Sequence, residues 1–174
     1  MNPPPAASAS APALVIVALG SNLGDSRGTL TAAIAQLAEF SAVPLRCSAF
    51  WRSEPVDCPP GSPAFINAVV ALQPRPGLTP EGLLPELLAL ERHFGRPPRG
   101  AVNEPRPLDL DLIAWGNEVR HTPELILPHP RAHRRRFVLQ PLAEIAPELV
   151  LPGQSRSVAE LLAALPAGEV VARL

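Results

Sequence analysis

Asp109 and Asp111 are two carboxylates at alternate positions in the run Arg106-Pro107-Leu108-Asp109-Leu110-Asp111-Leu112-Ile113. On a β-strand successive side chains point to opposite faces, so both aspartates share one face and the leucines share the other. Two Cα atoms in that relation lie about 6.6 Å apart. That separation suits a pair of magnesium ions spaced about 3.5–4 Å, and without cations the two like charges would repel. Taken alone, an Asp-x-Asp pattern is more often a pair of solvated acids on an exposed edge strand, so the surroundings decide.

The surroundings are basic. Between Arg92 and Arg136 there are nine arginines against five acids, and all four histidines of the chain fall in the same stretch. Arginines meet phosphate oxygens and acids meet metal ions, so a basic segment built around two aspartates suits a polyphosphate carried with its metals. The net charge of the whole chain is only −1, which gives no argument for a nucleic-acid or membrane partner. Cys47 and Cys58 have no metal-ligand spacing and read as reduced thiols, small core or loop residues of a cytoplasmic protein. No run of residues approaches a membrane span or a signal peptide.

Positioning such a site needs a scaffold, and 174 residues at 47% hydrophobic content suffice for one core. Residues 1–13, rich in Pro, Ala and Ser, read as a disordered tail, and residues 14–174 as a single domain. Leu14-Val15-Ile16-Val17-Ala18-Leu19 reads as a buried strand running into the turn Gly20-Ser21-Asn22-Leu23-Gly24. Leu30, Ala33, Ile34 and Leu37 then recur at helical spacing behind an N-cap at Asp25 or Ser26. A second, half-buried strand is expected over 45–53, with Leu45, Cys47, Ala49 and Trp51 on one face. A long Pro-rich loop follows, then an apolar third strand over 64–72 interrupted only by Asn67. Its amide must be satisfied by backbone or by a ligand.

Thr79-Pro80-Glu81 signals a helix start, and the helix should end near Gly95. The polar segment 96–105 between this helix and the aspartates is expected to act as a mobile lid over the site. Trp115-Gly116-Asn117-Glu118 reads as a turn, and a short helix should begin near Ser157. The order β, α, β, β, α, β favours an α+β fold: a ferredoxin-like antiparallel sheet with helices packed on it, three-layered α/β/α once the C-terminal additions cover the other face.

Six segments in this order resemble the 6-hydroxymethyl-7,8-dihydropterin pyrophosphokinase family. They are Ala18-Leu19-Gly20-Ser21-Asn22-Leu23-Gly24, Ser48 through Pro55, Phe65-Ile66-Asn67-Ala68, Glu91 with Gly95-Arg96, Pro105-Arg106 with Asp109-Leu110-Asp111, and Leu127-Pro128-His129-Pro130 with Phe137. The resemblance implies transfer of pyrophosphate from ATP to the pterin hydroxymethyl oxygen, releasing AMP, by a cytoplasmic monomer of folate biosynthesis. It implies two Mg2+ ions on Asp109 and Asp111, phosphate clamping by Arg96 and Arg106, and nucleotide contacts from Glu91, Arg99, Leu112, His129 and Arg135. It further implies a pterin slot between Phe65 and Phe137, with Asn67, Ser53 and Val56 lining it.

The chain departs from the family at Val102, Asn103 and Glu104, where a basic residue, Trp and a small residue are usual. Pro107 after the arginine is a further departure, as is Trp51 at a position commonly Tyr. Two other classes compete: a catalytically silent ferredoxin-like binding module would not require Phe65, Asn67, Phe137 and both aspartates together. A polymerase-like or phosphodiesterase two-metal enzyme would need a further acidic ligand.

Overall fold

The computed structural model describes residues 13–56, 58–97 and 104–174. The first strand, β1 (Val15–Ser21), is buried along nearly its whole length, and it lies in the middle of a six-stranded sheet. β4 (Phe65–Leu72) pairs with it on one side and β5 (Asp109–Trp115) on the other, both antiparallel. β2 (Arg46–Cys47) and β3 (Trp51–Ser53) both pair with β4, and β8 (Val171–Arg173) extends the edge beyond β3. The order β5-β1-β4-β3-β8 contains the expected ferredoxin-like core.

α1 (Ser26–Leu37) and α2 (Pro80–His93) pack on one face of the sheet. There Leu30, Leu37, Leu83 and Leu87 meet Val15, Val17, Leu110 and Leu112. α3 (Arg136–Ile145) and α4 (Val158–Ala164) pack on the other, where Leu139, Leu142 and Leu161 meet Ile16, Val69 and Ile113. Burying each of these side chains contributes about 1.5–3 kcal/mol. The β1–β5 pairing shifts by one residue beside Ile16 and Val17, so Ile113 and Ala114 both enter the α3 side of the core. Asp109 and Asp111 alternate with Leu110 and Leu112 and therefore face the α3 side as well.

Several elements obey local rules. Asp25 caps α1 by accepting from the Gly28 N–H at 3.0 Å, and Thr79 caps α2 by accepting from Gly82. Past the end of α2, Gly95 sits at φ +93°, a conformation that glycine adopts without a Cβ penalty.

The single strand expected over 45–53 is instead two short ones. Cys47 stands opposite Val70 and Trp51 opposite Asn67, so four steps on one strand match three on β4, and one residue is extra. Ser48 makes this bulge hold: its N–H donates to the Val69 carbonyl, and its hydroxyl accepts from the Val69 N–H, each at 2.9 Å. The face assignment changes with it, and Cys47, expected as a small core or loop residue, is exposed on an edge strand. β6 (Arg120–His121) and β7 (Ile126–Leu127) form a small separate hairpin that the apolar pattern did not indicate. Residues 1–12, most of the expected tail, lie outside the described residues.

Candidate active site

Gly20 is where three strands open into a cleft. In β1 it stands between Asn67 of β4 and Asp109 of β5. A Cβ there would lie 3.5 Å from Asn67 Oδ1 and 3.6 Å from the Phe65 ring, so the absent side chain leaves the cleft floor clear. Beyond it the cleft is lined by Ser53, Val56, Phe65, Asn67, Arg106, Asp109 and Asp111, with Arg135 and Phe137 from the start of α3. It encloses about 620 Å3 including its open mouth.

The polar edge of this cleft is fixed. Asn67, 5% exposed, donates through Nδ2 to Ser53 Oγ at 2.9 Å and to the Trp51 carbonyl at 3.4 Å. Its Oδ1 is left facing the space over Gly20. Phe65 lies under the Arg106 guanidinium at 5.8 Å, and Phe137 under that of Arg135 at 5.4 Å. Both are cation–π distances.

A second, wider groove lies on the far side of the aspartates. Glu91, Arg92, Arg96, Leu112, Glu124 and His129 line it, and Asp109 and Asp111 form part of its wall too. The carboxylate pair is thus shared by an aromatic cleft and a polar groove. Among the described residues, the two compartments share no other lining residue.

Around the pair, opposite charges are arranged in order. Arg96 Nη1 bonds both Asp109, at 2.8 Å, and Glu91. Arg106 Nη2 lies 3.3 Å from the other Asp109 oxygen, and Arg135 Nη1 lies 3.9 Å from Asp111. Burial and the charge of Asp111 nevertheless hold the Asp109 carboxyl above the usual range, against the pull of Arg106 and Arg96. Positive charge is therefore still in demand at the pair. Among the described residues no third His, Cys, Asp or Glu converges there, so a cation held by these two carboxylates would complete its shell with water and phosphate oxygens. The donor set fits magnesium in that manner.

Glu91 is 3% exposed and accepts from the Leu110 N–H at 2.7 Å, tying α2 to the aspartate strand. Burial pushes its carboxyl up, against the Leu110 bond and the Arg96 charge. His129 is held by its backbone N–H donating to the Ile113 carbonyl at 2.8 Å, and its Nδ1 accepts from the Arg131 backbone N–H. Burial lowers its pKa against the opposing charge of Asp111, so at neutral pH Nε2 carries the proton and can donate. Arg106 Nε is buried without a hydrogen-bond partner among the described residues, a donor suited to an anionic oxygen.

Of the residues singled out by sequence, Ser53, Val56, Phe65, Asn67 and Phe137 converge on the cleft, and Glu91, Arg96, Leu112 and His129 on the groove. Arg135, expected among the nucleotide contacts, lines the aromatic cleft. Arg99 and most of the expected lid, 98–103, lie outside the described residues. Asn22 was missed as an individual residue. It accepts from the Arg106 backbone N–H through Oδ1 at 2.9 Å and donates to the Pro63 carbonyl at 3.1 Å, joining the segment before β5 to the loop before β4. The glycine turn that contains it was the only local signal.

Residues 16–147 match the model of the 7,8-dihydro-6-hydroxymethylpterin-pyrophosphokinase family. The chain belongs to that family. Curated relatives agree: the 2-amino-4-hydroxy-6-hydroxymethyldihydropteridine pyrophosphokinase of Pseudomonas aeruginosa is 41% identical, over 87% of this chain and 91% of the relative. Its Synechocystis counterpart is 42% identical over 84% of this chain and 73% of the relative. A Plasmodium falciparum HPPK-DHPS structure solved with pteroate superposes with a TM-score of 0.67 at 10% identity. This chain spans 44% of that longer one, and 88% of this chain is covered. Among the described residues no helix is long and apolar enough to cross a membrane.

Proposed function

We propose that this member of the pyrophosphokinase family transfers the β,γ-pyrophosphoryl group of ATP to 6-hydroxymethyl-7,8-dihydropterin, giving AMP and the pterin diphosphate for folate biosynthesis. The carrying observation is the shared wall: Asp109 and Asp111 border both the Phe65–Asn67–Phe137 cleft and the Glu91–His129 groove. A flat, polar-edged ring fits the first and a nucleotide polyphosphate the second, so the reacting atoms meet over the aspartates.

In the reaction the pterin hydroxymethyl oxygen attacks the β-phosphorus. A new O–Pβ bond forms, the bond from Pβ to the oxygen bridging the α-phosphorus breaks, and that oxygen departs with AMP. The hydroxyl proton passes to solvent. Phe65 and Phe137 stack on the ring faces, while Asn67, held by Ser53, presents Oδ1 to the ring's N–H edge. Arg106 and Arg96 hold phosphate oxygens, and Glu91 keeps Arg96 aimed at them. His129 donates from Nε2 to the nucleotide, alongside Leu112, while Arg135 stays on the cleft side beside Asp111. Asp109 and Asp111 would hold two magnesium ions, which when bound would supply positive charge against the charge developing on the phosphate oxygens.

Pterin-dependent AMP release tests the reading. Protein, ATP, magnesium and the pterin should yield AMP and pterin diphosphate in equal amounts, with no ADP. ADP as the nucleotide product, or AMP formed at the same rate without the pterin, would contradict it.

A further inference from the structure

We infer that Glu169, outside the family-matched residues 16–147, is a positioning residue for the pterin cleft, acting through the N-terminus of α3. This rests on the functional reading above. The first N–H groups of a helix lack partners within it and need an acceptor. The α3 N-cap is Arg135, and its side chain makes no capping hydrogen bond. The acceptor comes from elsewhere: Glu169 Oε2 takes the Arg136 N–H at 3.0 Å, across 33 residues of chain. A carboxylate there also complements the positive end of the helix dipole.

The contact is reciprocal. Arg136 Nη2 donates to the Leu165 carbonyl at 3.2 Å and to the Pro166 carbonyl at 3.4 Å, gripping the segment that carries Glu169. That segment continues into β8, where Val171 stands opposite Ser53, the hydroxyl that holds Asn67. Arg173 then pairs with Glu144 of α3 at 2.7 Å. The C-terminal segment is therefore tied to both ends of α3 and to the cleft strand.

Arg136 lies between the N-cap Arg135 and Phe137, both of which line the cleft. Pinning its backbone sets where the Phe137 ring and the Arg135 guanidinium stand. Without Glu169, pterin binding must itself order the helix start, and affinity falls by the cost of that ordering. The groove is lined from α2, β5 and residues 123–130, so ATP affinity is expected to hold.

The test compares Glu169→Ala and Glu169→Gln with the wild-type chain. Glu169→Ala should weaken pterin binding about fivefold to tenfold, the effect of a lost helix cap, with ATP affinity changed by less than about twofold. Glu169→Gln keeps an acceptor oxygen for the Arg136 N–H and should restore most of the affinity. Without substrate, amide exchange at Arg136 and Phe137 should accelerate in Glu169→Ala and return toward wild type in Glu169→Gln. Unchanged exchange, unchanged pterin affinity, or equal loss of pterin and ATP affinity would overturn the inference. A wild-type chain that releases no pterin-dependent AMP would overturn the functional reading instead, while the exchange data still decide the clamp.

Discussion

Asp109 and Asp111 could be found by residue type and spacing because the period of a strand is a local property. The long-range bonds that hold the strand and its approach could not. Glu91 lies 19 residues from the Leu110 N–H it accepts, and Asn22 lies 84 from the Arg106 N–H, distances that only the packed sheet closes. Replacing either aspartate with alanine should lower turnover by about a hundredfold or more. The circular dichroism spectrum should stay that of the wild type. Glu91 supports a prediction on pH. Its carboxyl titrates above its ordinary value because of burial, so its contribution to stability is fully present below the unfolded pKa and is lost as pH rises through the folded one. Glu91→Gln removes that loss while keeping an acceptor for Leu110. Thermal melts should show the variant gaining on the wild type at pH 7, with the difference shrinking toward pH 4. A gap independent of pH would mean that the buried charge is not what limits stability.

Helices with their signals in sequence were legible, and strands governed by their neighbours were not. Thr79-Pro80-Glu81 marks the start of α2 and Ser157 that of α4, where Ser157 and Glu160 form a reciprocal capping box. α3 lacks such a marker: its N-cap is an arginine, and Pro141 lies inside it with no N–H to give to the previous turn. The break between β2 and β3 depends on Ser48 serving both backbone groups of Val69, an arrangement no alternation pattern records. Ser48→Ala leaves the Val69 N–H buried without its acceptor. Chemical denaturation should show a loss of about 1–3 kcal/mol; a loss near zero would mean that the bulge holds through backbone bonds alone.

Across the whole molecule, the sheet divides the labour: its α1 and α2 face is core, and its other face is core at one end and cleft at the other. The overall α/β/α layering followed from element order, because a sheet with two apolar faces needs cover on both. The division into two compartments did not, since it depends on where α3 and the β6–β7 hairpin come to rest. That division predicts selective effects. Phe137→Ala should weaken pterin binding by more than about tenfold through lost stacking and burial, and equilibrium titration should show ATP affinity little changed. Equal losses would make Phe137 a core residue. The most direct measurement is a crystal structure with the pterin, magnesium and an ATP analogue methylene-bridged between its α- and β-phosphorus. The pterin should lie between Phe65 and Phe137, the nucleotide along Leu112 and His129, and magnesium on Asp109 and Asp111, with the hydroxymethyl oxygen in line with the β-phosphorus. A pterin outside the aromatic cleft, or phosphates that do not reach the aspartates, would contradict the account.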